Sequence, residues 1–288
     1  MDESARAWIA DVTGARRVRA VRALRHGITS DVTLVDADGH PLVLRRWDRP
    51  DLVEEQPDGV ANEVRALEAA RAVLGAVVPE PVAADRSGRQ VGCPAVLMTW
   101  VPGVAVVRDL DVGRLAVPAD RLHTADPPSG LSGYWRRFDP DRYAVPTWTG
   151  APAAWAALLD TVRGPAPAAP AVFLHRDYHP GNVLWVDGAI SGIVDWGSAC
   201  LGPPGVDVAR TRANLALVDG VDAADAYLAA YSALVPGYRH ERWWDARDLV
   251  GFVDEDFAGV LAFNTLGASL DHATLRDRAD AYARTLAR

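Results

Sequence analysis

Two kinds of hydrophobic spacing follow each other along the chain. In residues 32–47, apolar and polar positions alternate on both sides of a turn cluster, which predicts a β-hairpin. Residues 60–74 have an apolar stripe at helical spacing, and residues 93–101 form another apolar strand that ends at Pro102-Gly103. The first part of the chain is therefore predicted to be an antiparallel sheet with a helix.

Helical spacing dominates beyond Gly103. The predicted helices cover residues 112–123, 206–217, 223–234, 241–257 and 271–286. This change of pattern predicts an α+β protein with two domains, an N-terminal lobe of residues 1–102 and a mainly helical C-terminal lobe of residues 103–288.

One further hairpin is predicted within the helical part. Two apolar runs, residues 183–186 and 189–194, flank Asp187-Gly188. Asp-Gly is a preferred two-residue hairpin turn, because both of its central positions take a positive φ. The two runs are therefore predicted to pair as antiparallel strands.

The polar residues around this hairpin suggest a chemistry. Tight pairing places Asn182 opposite Ile193, so that Asp195 lies roughly 7 Å further along at the same open end of the ribbon. An amide and a carboxylate at that separation can share a hard cation such as Mg²⁺. Asp177 approaches the same end from the preceding loop, and His175 stands two residues before it.

Each of these residues also has an ordinary structural explanation. An aspartate before a turn is usually a cap, and an asparagine beside Gly181 tolerates a turn conformation. His175 has the alternative of a core histidine that orients the loop. The joint spacing of acid, amide and second acid favours a functional site over these separate explanations.

Composition and charge exclude several classes of protein. The chain has 288 residues, 49% of them hydrophobic, with a net charge of −8. This acidic balance argues against a nucleic-acid partner, and no apolar segment is long enough for a membrane span. Cys93 and Cys200 lack the spacing of a disulfide framework or a zinc site. Without a basic leader at the first residues, a cytoplasmic protein is expected.

All thirty basic residues are arginine, because the chain contains no lysine. A Walker A loop requires a lysine after its second glycine, so P-loop nucleotide hydrolases are excluded.

The segment that ends in the hairpin resembles the protein-kinase-like superfamily, and within it the aminoglycoside phosphotransferase branch. That branch commonly shows H-x-D-x-H-P-x-N, then D-W, then G-x-P-x-x-D. The matching residues here are His175, Asp177, His179, Pro180, Asn182, Asp195, Trp196, Gly202, Pro204 and Asp207.

This resemblance implies a two-lobed kinase-like fold and a role for each residue. Asp177 would be the base that faces the acceptor hydroxyl, with His175 orienting the loop. Asn182 and Asp195 would hold Mg²⁺ on the phosphates of ATP. Asp207 would be a structural acid that supports the loop, or alternatively only the N-cap of the helix that begins near it.

The resemblance also assigns a nucleotide site to the N-terminal lobe. Arg45 takes the position of the strand lysine that contacts the phosphates, and strand alternation places Arg46 on the opposite face. Glu63, on the apolar side of the predicted helix, would pair with Arg45. The alternatives are a solvated strand charge for Arg45 and a first-turn glutamate for Glu63.

Four weaker nucleotide contacts complete the prediction. Thr29 and Ser30 occupy the place of the glycine-rich loop and would contact the phosphates. Met98 and Trp100 would lie near the adenine base, where the strand enters the interlobe hinge.

The phosphoryl acceptor is the part of the predicted reaction that the sequence defines least. Residues 195–207 are too short for the peptide platform of a protein kinase, which favours a small hydroxylated molecule such as an aminoglycoside-like antibiotic. The acidic run Asp254-Glu255-Asp256 could attract the ammonium groups of an aminoglycoside, or could simply form a solvated helix face. A kinase of an ordinary metabolite and a pseudokinase-like binding module remain open, as does the oligomeric state.

Overall fold

The computed structural model describes residues 1–24, 31–56, 58–134, 138–254 and 256–288. The chain divides into two units. Unit 1 comprises Met1–Gly103, Pro128–Ser132 and Ser191–Ala199. Unit 2 comprises Val104–Pro127, Gly133–Ile190 and Cys200–Arg288.

The described residues of unit 1 form a five-stranded antiparallel sheet and three α-helices. Its strands, in the spatial order β1-β2-β3-β5-β4, are β1 Val18–Ala23, β2 Asp31–Ala37, β3 His40–Arg46, β4 Pro81–Asp85 and β5 Ala95–Thr99. Its helices are α1 Glu3–Thr13, α2 Pro50–Glu55 and α3 Gly59–Leu74. The predicted hairpin, the strand that follows it and the helix between them are thereby confirmed.

The two faces of this sheet have different surroundings. Leu42 and Leu44 of β3 belong to an apolar cluster with Trp8 and Ile9 of α1, so α1 covers one face. Side chains alternate along a strand, so Arg45 belongs to the other face. Arg45, on the central strand β3, therefore lies on the face of the sheet away from the apolar cluster.

Unit 2 is mainly helical. Its helices are α4 Val112–Thr124, α5 Pro152–Arg163, α6 Gly205–Val218, α7 Val221–Leu234, α8 Arg242–Asp254, α9 Ala258–Leu261 and α10 His272–Leu286. The short strands that lie between these helices in the chain, or before them, are β6 Val104–Ala105, β7 Val172–Leu174, β8 Val183–Val186, β9 Ala189–Ile193 and β10 Cys200–Gly202. β10 pairs with β7, and β6, β8 and β9 form a three-stranded sheet in that order, with the unit boundary inside β9.

The predicted turn between β8 and β9 is present. Asp187 and Gly188 have φ values of 49° and 73°. Both are positive, as the tight hairpin turn requires.

One predicted helix is wrong at its C-terminal end. The helix predicted for residues 241–257 stops at Asp254, because Asp256 and Phe257 both adopt left-handed φ values, of 48° and 59°, and the Phe257 ring is buried. A bulky residue takes this conformation only where its surroundings compensate the strain, and hydrophobic spacing does not reveal that. Helix α5 was not among the predicted helices.

Helix α6 lies at the centre of unit 2. It packs against α7, α8 and α10, and its buried residues occur on every side. Such a helix is typical of the interior of a protein. Among the described residues, no helix has the length and apolar character needed to cross a bilayer.

Asp280 joins α10 to the segment that leads into α5. Its carboxylate accepts hydrogen bonds from Thr149 Oγ1 at 2.5 Å, Gly150 N at 2.7 Å and Trp155 Nε1 at 2.7 Å. Because this carboxylate is buried, its loss leaves donors without a partner and out of reach of water.

We predict that Asp280→Ala lowers the free energy of unfolding by about 2–4 kcal/mol, as measured by chemical denaturation. Asp277→Ala, an exposed position on the same helix, should change it by less than about 0.5 kcal/mol. Equal effects of the two substitutions would contradict this assignment.

Candidate active site

In unit 1, the guanidinium of Arg45 bridges two carboxylates. Its Nη1 donates to Glu63 Oε1 at 3.1 Å and to Asp195 Oδ1 at 2.6 Å. Arg45 is 6% exposed, so the alternative of a solvated strand charge is wrong. The predicted pair of strand cation and helix carboxylate is present, and Asp195 joins it.

Glu63 is held on both of its oxygens. The second oxygen, Oε2, accepts from Trp47 Nε1 at 3.1 Å, and the Trp47 ring lies 5.7 Å from the Arg45 guanidinium carbon. Burial raises the pKa of Glu63, although Arg45 acts in the opposite direction. Burial alone would lower the pKa of Arg45, but the charges of Asp195 and Glu63 together raise it. The arginine is therefore permanently charged and fixed in position.

Local backbone geometry places Asp195 beside Arg45. Asp195 has a left-handed φ of 67°, an uncommon conformation that recurs at functional sites. Gly197 follows closely, and a Cβ at that position would lie 2.9 Å from Arg45 Nη2. The glycine leaves the space that the guanidinium fills.

Arg46 projects from the opposite face of the sheet, as predicted. Its guanidinium pairs with Asp31 and, at 2.9 Å, with Asp2 at the start of α1.

Two of the four other predicted nucleotide contacts, Met98 and Trp100, lie in the described part of the chain. Thr29 and Ser30 lie outside the described residues. Met98 is buried on β5, opposite Val43 of β3, and therefore shares the sheet face of Arg45. Trp100 follows β5 directly and is half-buried, with the Arg22 guanidinium carbon 5.9 Å from its ring.

In unit 2, the loop that carries Asp177 is held by Asp207. The Asp207 carboxylate accepts from the amide of His175 at 2.8 Å and from the amide of Arg176 at 2.6 Å. His123 Nε2 lies 3.2 Å from the same carboxylate, and the His123 ring is buried. The loop can therefore hold Arg176 at a left-handed φ of 70°.

These contacts decide between the two explanations of Asp207. Helix α6 begins at Gly205 with Pro204 as its N-cap, so Asp207 lies in the first turn and the N-cap alternative is wrong. Sequence reasoning did not connect His123, the last residue of the helix predicted for residues 112–123, with this carboxylate.

Two ring-bearing residues of the loop are packed inside unit 2. His175 is fully buried, with its ring edge-on to Tyr178 at 5.9 Å between centroids. The Tyr178 hydroxyl donates to Leu115 O at 2.8 Å, and Thr211 Oγ1 donates to Tyr178 O at 2.8 Å. Arg176 and Asp177, which lie between these two residues in the chain, are partly exposed.

Asp177 is paired with a residue that sequence reasoning missed. Arg210 on α6 approaches Asp177 Oδ1 with Nε and with Nη2, each at 2.9 Å. On the other oxygen, His179 Nε2 lies 3.4 Å from Oδ2. The available signal was the spacing: Arg210 stands three residues after Asp207, on the same side of a helix.

Asn182 completes this cluster. Its Nδ2 donates to the main-chain oxygen of Asp177 at 2.9 Å and lies 3.3 Å from Oδ2 of the same residue. The structure thus brings Asp177 and Asn182 together in unit 2, and Arg45, Glu63 and Asp195 together in unit 1.

The charge on Asp177 follows from its surroundings. Burial acts to raise the pKa of this carboxyl, but the positive charge of Arg210, followed by contributions from His179 and His175, holds the pKa well below its usual range. Asp177 is therefore a carboxylate at every pH at which the protein is expected to work.

Comparison with known proteins identifies a family and a relative. A model of the phosphotransferase enzyme family matches residues 20–244. The homoserine kinase of Methylocella silvestris is 26% identical over 239 residues, covering 76% of this chain and 73% of that protein.

Solved structures of antibiotic kinases share the fold. A thermostable mutant of aminoglycoside phosphotransferase APH(4)-Ia in its apo form superposes with a TM-score of 0.62 at 20% identity, covering 97% of this chain and 98% of that one. Macrolide 2'-phosphotransferase MphH from Brachybacterium faecium gives 0.57 at 20% identity, with 95% of each chain covered.

The chain belongs to the phosphotransferase enzyme family. It is a small-molecule kinase whose acceptor is a hydroxyl group, and the predicted kinase-like α+β fold is confirmed.

We predict that Asp207→Ala lowers the free energy of unfolding by about 2–4 kcal/mol, because two loop amides lose their acceptor. Asp222→Ala is the matched control, since Asp222 is an exposed acid in the first turn of α7. Its loss should lower the free energy by about 0.3–1 kcal/mol. Chemical denaturation measures both, and a similar loss at the two positions would argue against the role of Asp207.

We also predict a change in the acid limb of the pH profile of kcat/KM. We expect activity to require the carboxylate form of Asp177. The Arg210 charge lowers the pKa of that group, so the acid limb of the wild type should lie below the ordinary aspartate range. Arg210→Gln should raise the pKa of Asp177 and move the limb to higher pH.

Arg142→Gln is the control for this experiment, because Arg142 pairs with Asp254 and not with Asp177. An acid limb that stays in place in Arg210→Gln, or that moves equally in Arg142→Gln, would refute the coupling.

Proposed function

We propose that the protein is an ATP-dependent O-phosphotransferase in which Asp177 faces the acceptor hydroxyl. The observation that supports this most strongly is the ionised Asp177 carboxylate, on a loop held by Asp207, in a chain of the phosphotransferase family. A cytoplasmic location, where ATP is available, is part of the proposal.

The reaction assigns one main task to Asp177. The acceptor oxygen forms a bond to the γ-phosphorus, the bond from that phosphorus to the bridging oxygen breaks, and ADP leaves. The hydroxyl proton passes to Asp177. Because the low pKa makes Asp177 a weak base, its contribution is to orient the hydroxyl and to accept the proton late, as a loose transition state requires.

Arg45 is proposed to contact the nucleotide phosphates, with Glu63 fixing its position. Thr29 and Ser30 would add phosphate contacts, and Met98 and Trp100 would lie near the base. These roles rest on the family resemblance, and the complex of an APH(4)-Ia mutant with ADP and hygromycin B shows that a protein of similar fold binds nucleotide.

Asn182 and Asp195 are the proposed Mg²⁺ ligands. Amide and carboxylate oxygens are the donors that Mg²⁺ prefers. Asn182 uses its Nδ2 toward Asp177, which directs its oxygen elsewhere, and the Asp195 side chain is 26% exposed. Both side chains fit the ion, which would neutralise phosphate charge when bound. His175 would keep the loop in the orientation that this arrangement needs.

For the acceptor, the first candidate is an aminoglycoside-like antibiotic or a related compound, with antibiotic resistance as the consequence. Its support is the similarity to structures that include the hygromycin B complex and a gentamicin complex of APH(2")-IIa.

The second candidate is an ordinary metabolite, and one observation favours it. Of the acidic run predicted to attract ammonium groups, Glu255 lies outside the described residues. Asp254 already accepts from Arg142 Nη2 at 2.8 Å, and Asp256 lies 3.2 Å from His272. The relative from Methylocella silvestris is a homoserine kinase, which is a metabolite kinase by name.

We predict that Asp177→Asn lowers kcat by about a hundredfold or more while leaving the affinity for ATP·Mg²⁺ nearly unchanged. A coupled assay of ADP release measures kcat over a panel of aminoglycosides, amino alcohols, sugars and hydroxy acids. Calorimetry measures the affinity for ATP·Mg²⁺. Asp187→Asn, in the exposed turn where asparagine tolerates the positive φ, is the control and should keep full activity.

Two outcomes would reject the proposal. Nucleotide binding without any Asp177-dependent turnover would indicate a pseudokinase-like binding module. A failure to bind nucleotide at all would contradict the kinase assignment itself.

A further inference from the structure

Arg210 differs from the other residues of α6 in its exposure to solvent. Helix α6 has 14 residues, all of them described, and every residue except Arg210 is buried. The Arg210 side chain is 26% exposed and ends at the Asp177 carboxylate, which is 30% exposed. The interior helix of unit 2 thus presents a single partly accessible side chain, and that side chain is a cation at the catalytic loop.

The position of this cation is fixed from two sides. Two nitrogens of Arg210 contact one oxygen of Asp177, and the guanidinium carbon lies 4.6 Å from the centroid of the Phe252 ring on α8. Phe252 is itself buried, so it provides a rigid support. A guanidinium held in this way is preorganised for a partner, because little conformational freedom remains to be lost on binding.

An acceptor must come close to this cation in order to react. Its hydroxyl has to lie within about 2.6–3.2 Å of Asp177, and Arg210 contacts that same carboxylate. A substituent a few bonds away from the hydroxyl therefore falls within reach of the guanidinium. A carboxylate there gains a charge-assisted contact, whereas an ammonium group meets a like charge.

The charge of Asp177 does not reverse this preference. Its single negative charge is matched by Arg210, and His179 and Asn182 lie on its other oxygen. The pair is therefore close to neutral overall, and the preference comes from the guanidinium, which offers N–H donors to a carboxylate and no acceptor to an ammonium group.

We propose that Arg210 is a specificity-determining residue, which selects hydroxyl acceptors that have a carboxylate close to the reacting hydroxyl. This rests on the proposed function, in which Asp177 faces the hydroxyl. The transfer is the one already described, and Arg210 forms and breaks no bond. The acceptor class is a small hydroxy acid, including hydroxy amino acids, rather than a polycationic antibiotic.

The test uses three acceptors that share a carbon chain and differ in charge: γ-hydroxybutyrate, its primary amide, and the amino alcohol of the same length. Wild-type enzyme should prefer the hydroxy acid over the amide in kcat/KM by on the order of ten- to a hundredfold, and should use the amino alcohol least. The preference should appear mainly in KM.

Substitutions of Arg210 test whether this residue causes the preference for the hydroxy acid. Arg210→Gln should reduce the preference for the acid over the amide to about twofold or less, and Arg210→Lys should keep an intermediate part of it. Arg142→Gln, which removes a distant surface charge, should keep all of it. Thermal denaturation of each variant identifies one that has failed to fold, and Arg210→Lys then decides the comparison.

Several results would overturn the inference. One is a preference of the wild-type enzyme for the amide or the amino alcohol. Another is a preference for the hydroxy acid that survives in Arg210→Gln. A third is no turnover of any of the three compounds. A uniform fall in kcat for all three acceptors in Arg210→Gln would instead assign the residue to the transferred phosphoryl group. Asp177-dependent phosphorylation of an aminoglycoside alone would reject this inference but support the proposed function, whereas no phosphorylation of any acceptor would reject both.

Discussion

A buried carboxylate must be paired, and the arrangement of unit 2 around Asp207 follows from that constraint. Asp207 is fully buried, and its oxygens receive two consecutive loop amides, with His123 beside them. Consecutive amides can point at one carboxylate only if the backbone between them bends, which the left-handed Arg176 achieves. The direction of Asp177 is therefore set by a residue thirty positions later in the chain.

Helix α6 holds both the backbone of the loop that carries Asp177 and the Asp177 side chain. Asp207, Arg210 and Thr211 are spaced three and four residues apart, so they share one side of the helix. The first binds two loop amides, the second binds the Asp177 carboxylate, and the third donates to the Tyr178 carbonyl. The loop and this side of the helix thus form one structural element, and burial of the rest of the helix keeps it from rotating.

Much of this arrangement could be predicted from the sequence, because local rules determine it. The Asp187-Gly188 turn needs only two adjacent residues of the right type. The Arg45–Glu63 pair was implied by the family resemblance, with Glu63 on the apolar side of a helix that local spacing predicts. The partner of Asp177 was missed, because an arginine in a helix is ordinarily solvated and the spacing of Arg210 from Asp207 does not by itself identify what the arginine contacts. The end of α8 was missed for a related reason, since Phe257 takes a strained conformation that only its packing explains.

The arginine on β3 has a chemical consequence for regulation. A lysine at that position could lose its charge by acetylation or react with electrophilic probes directed at amines. The side chains of this protein include no primary amine, because all its basic residues are arginine. The cation between Glu63 and Asp195 therefore cannot be silenced by acylation, and amine-directed covalent inhibitors of kinases have no target on any side chain here.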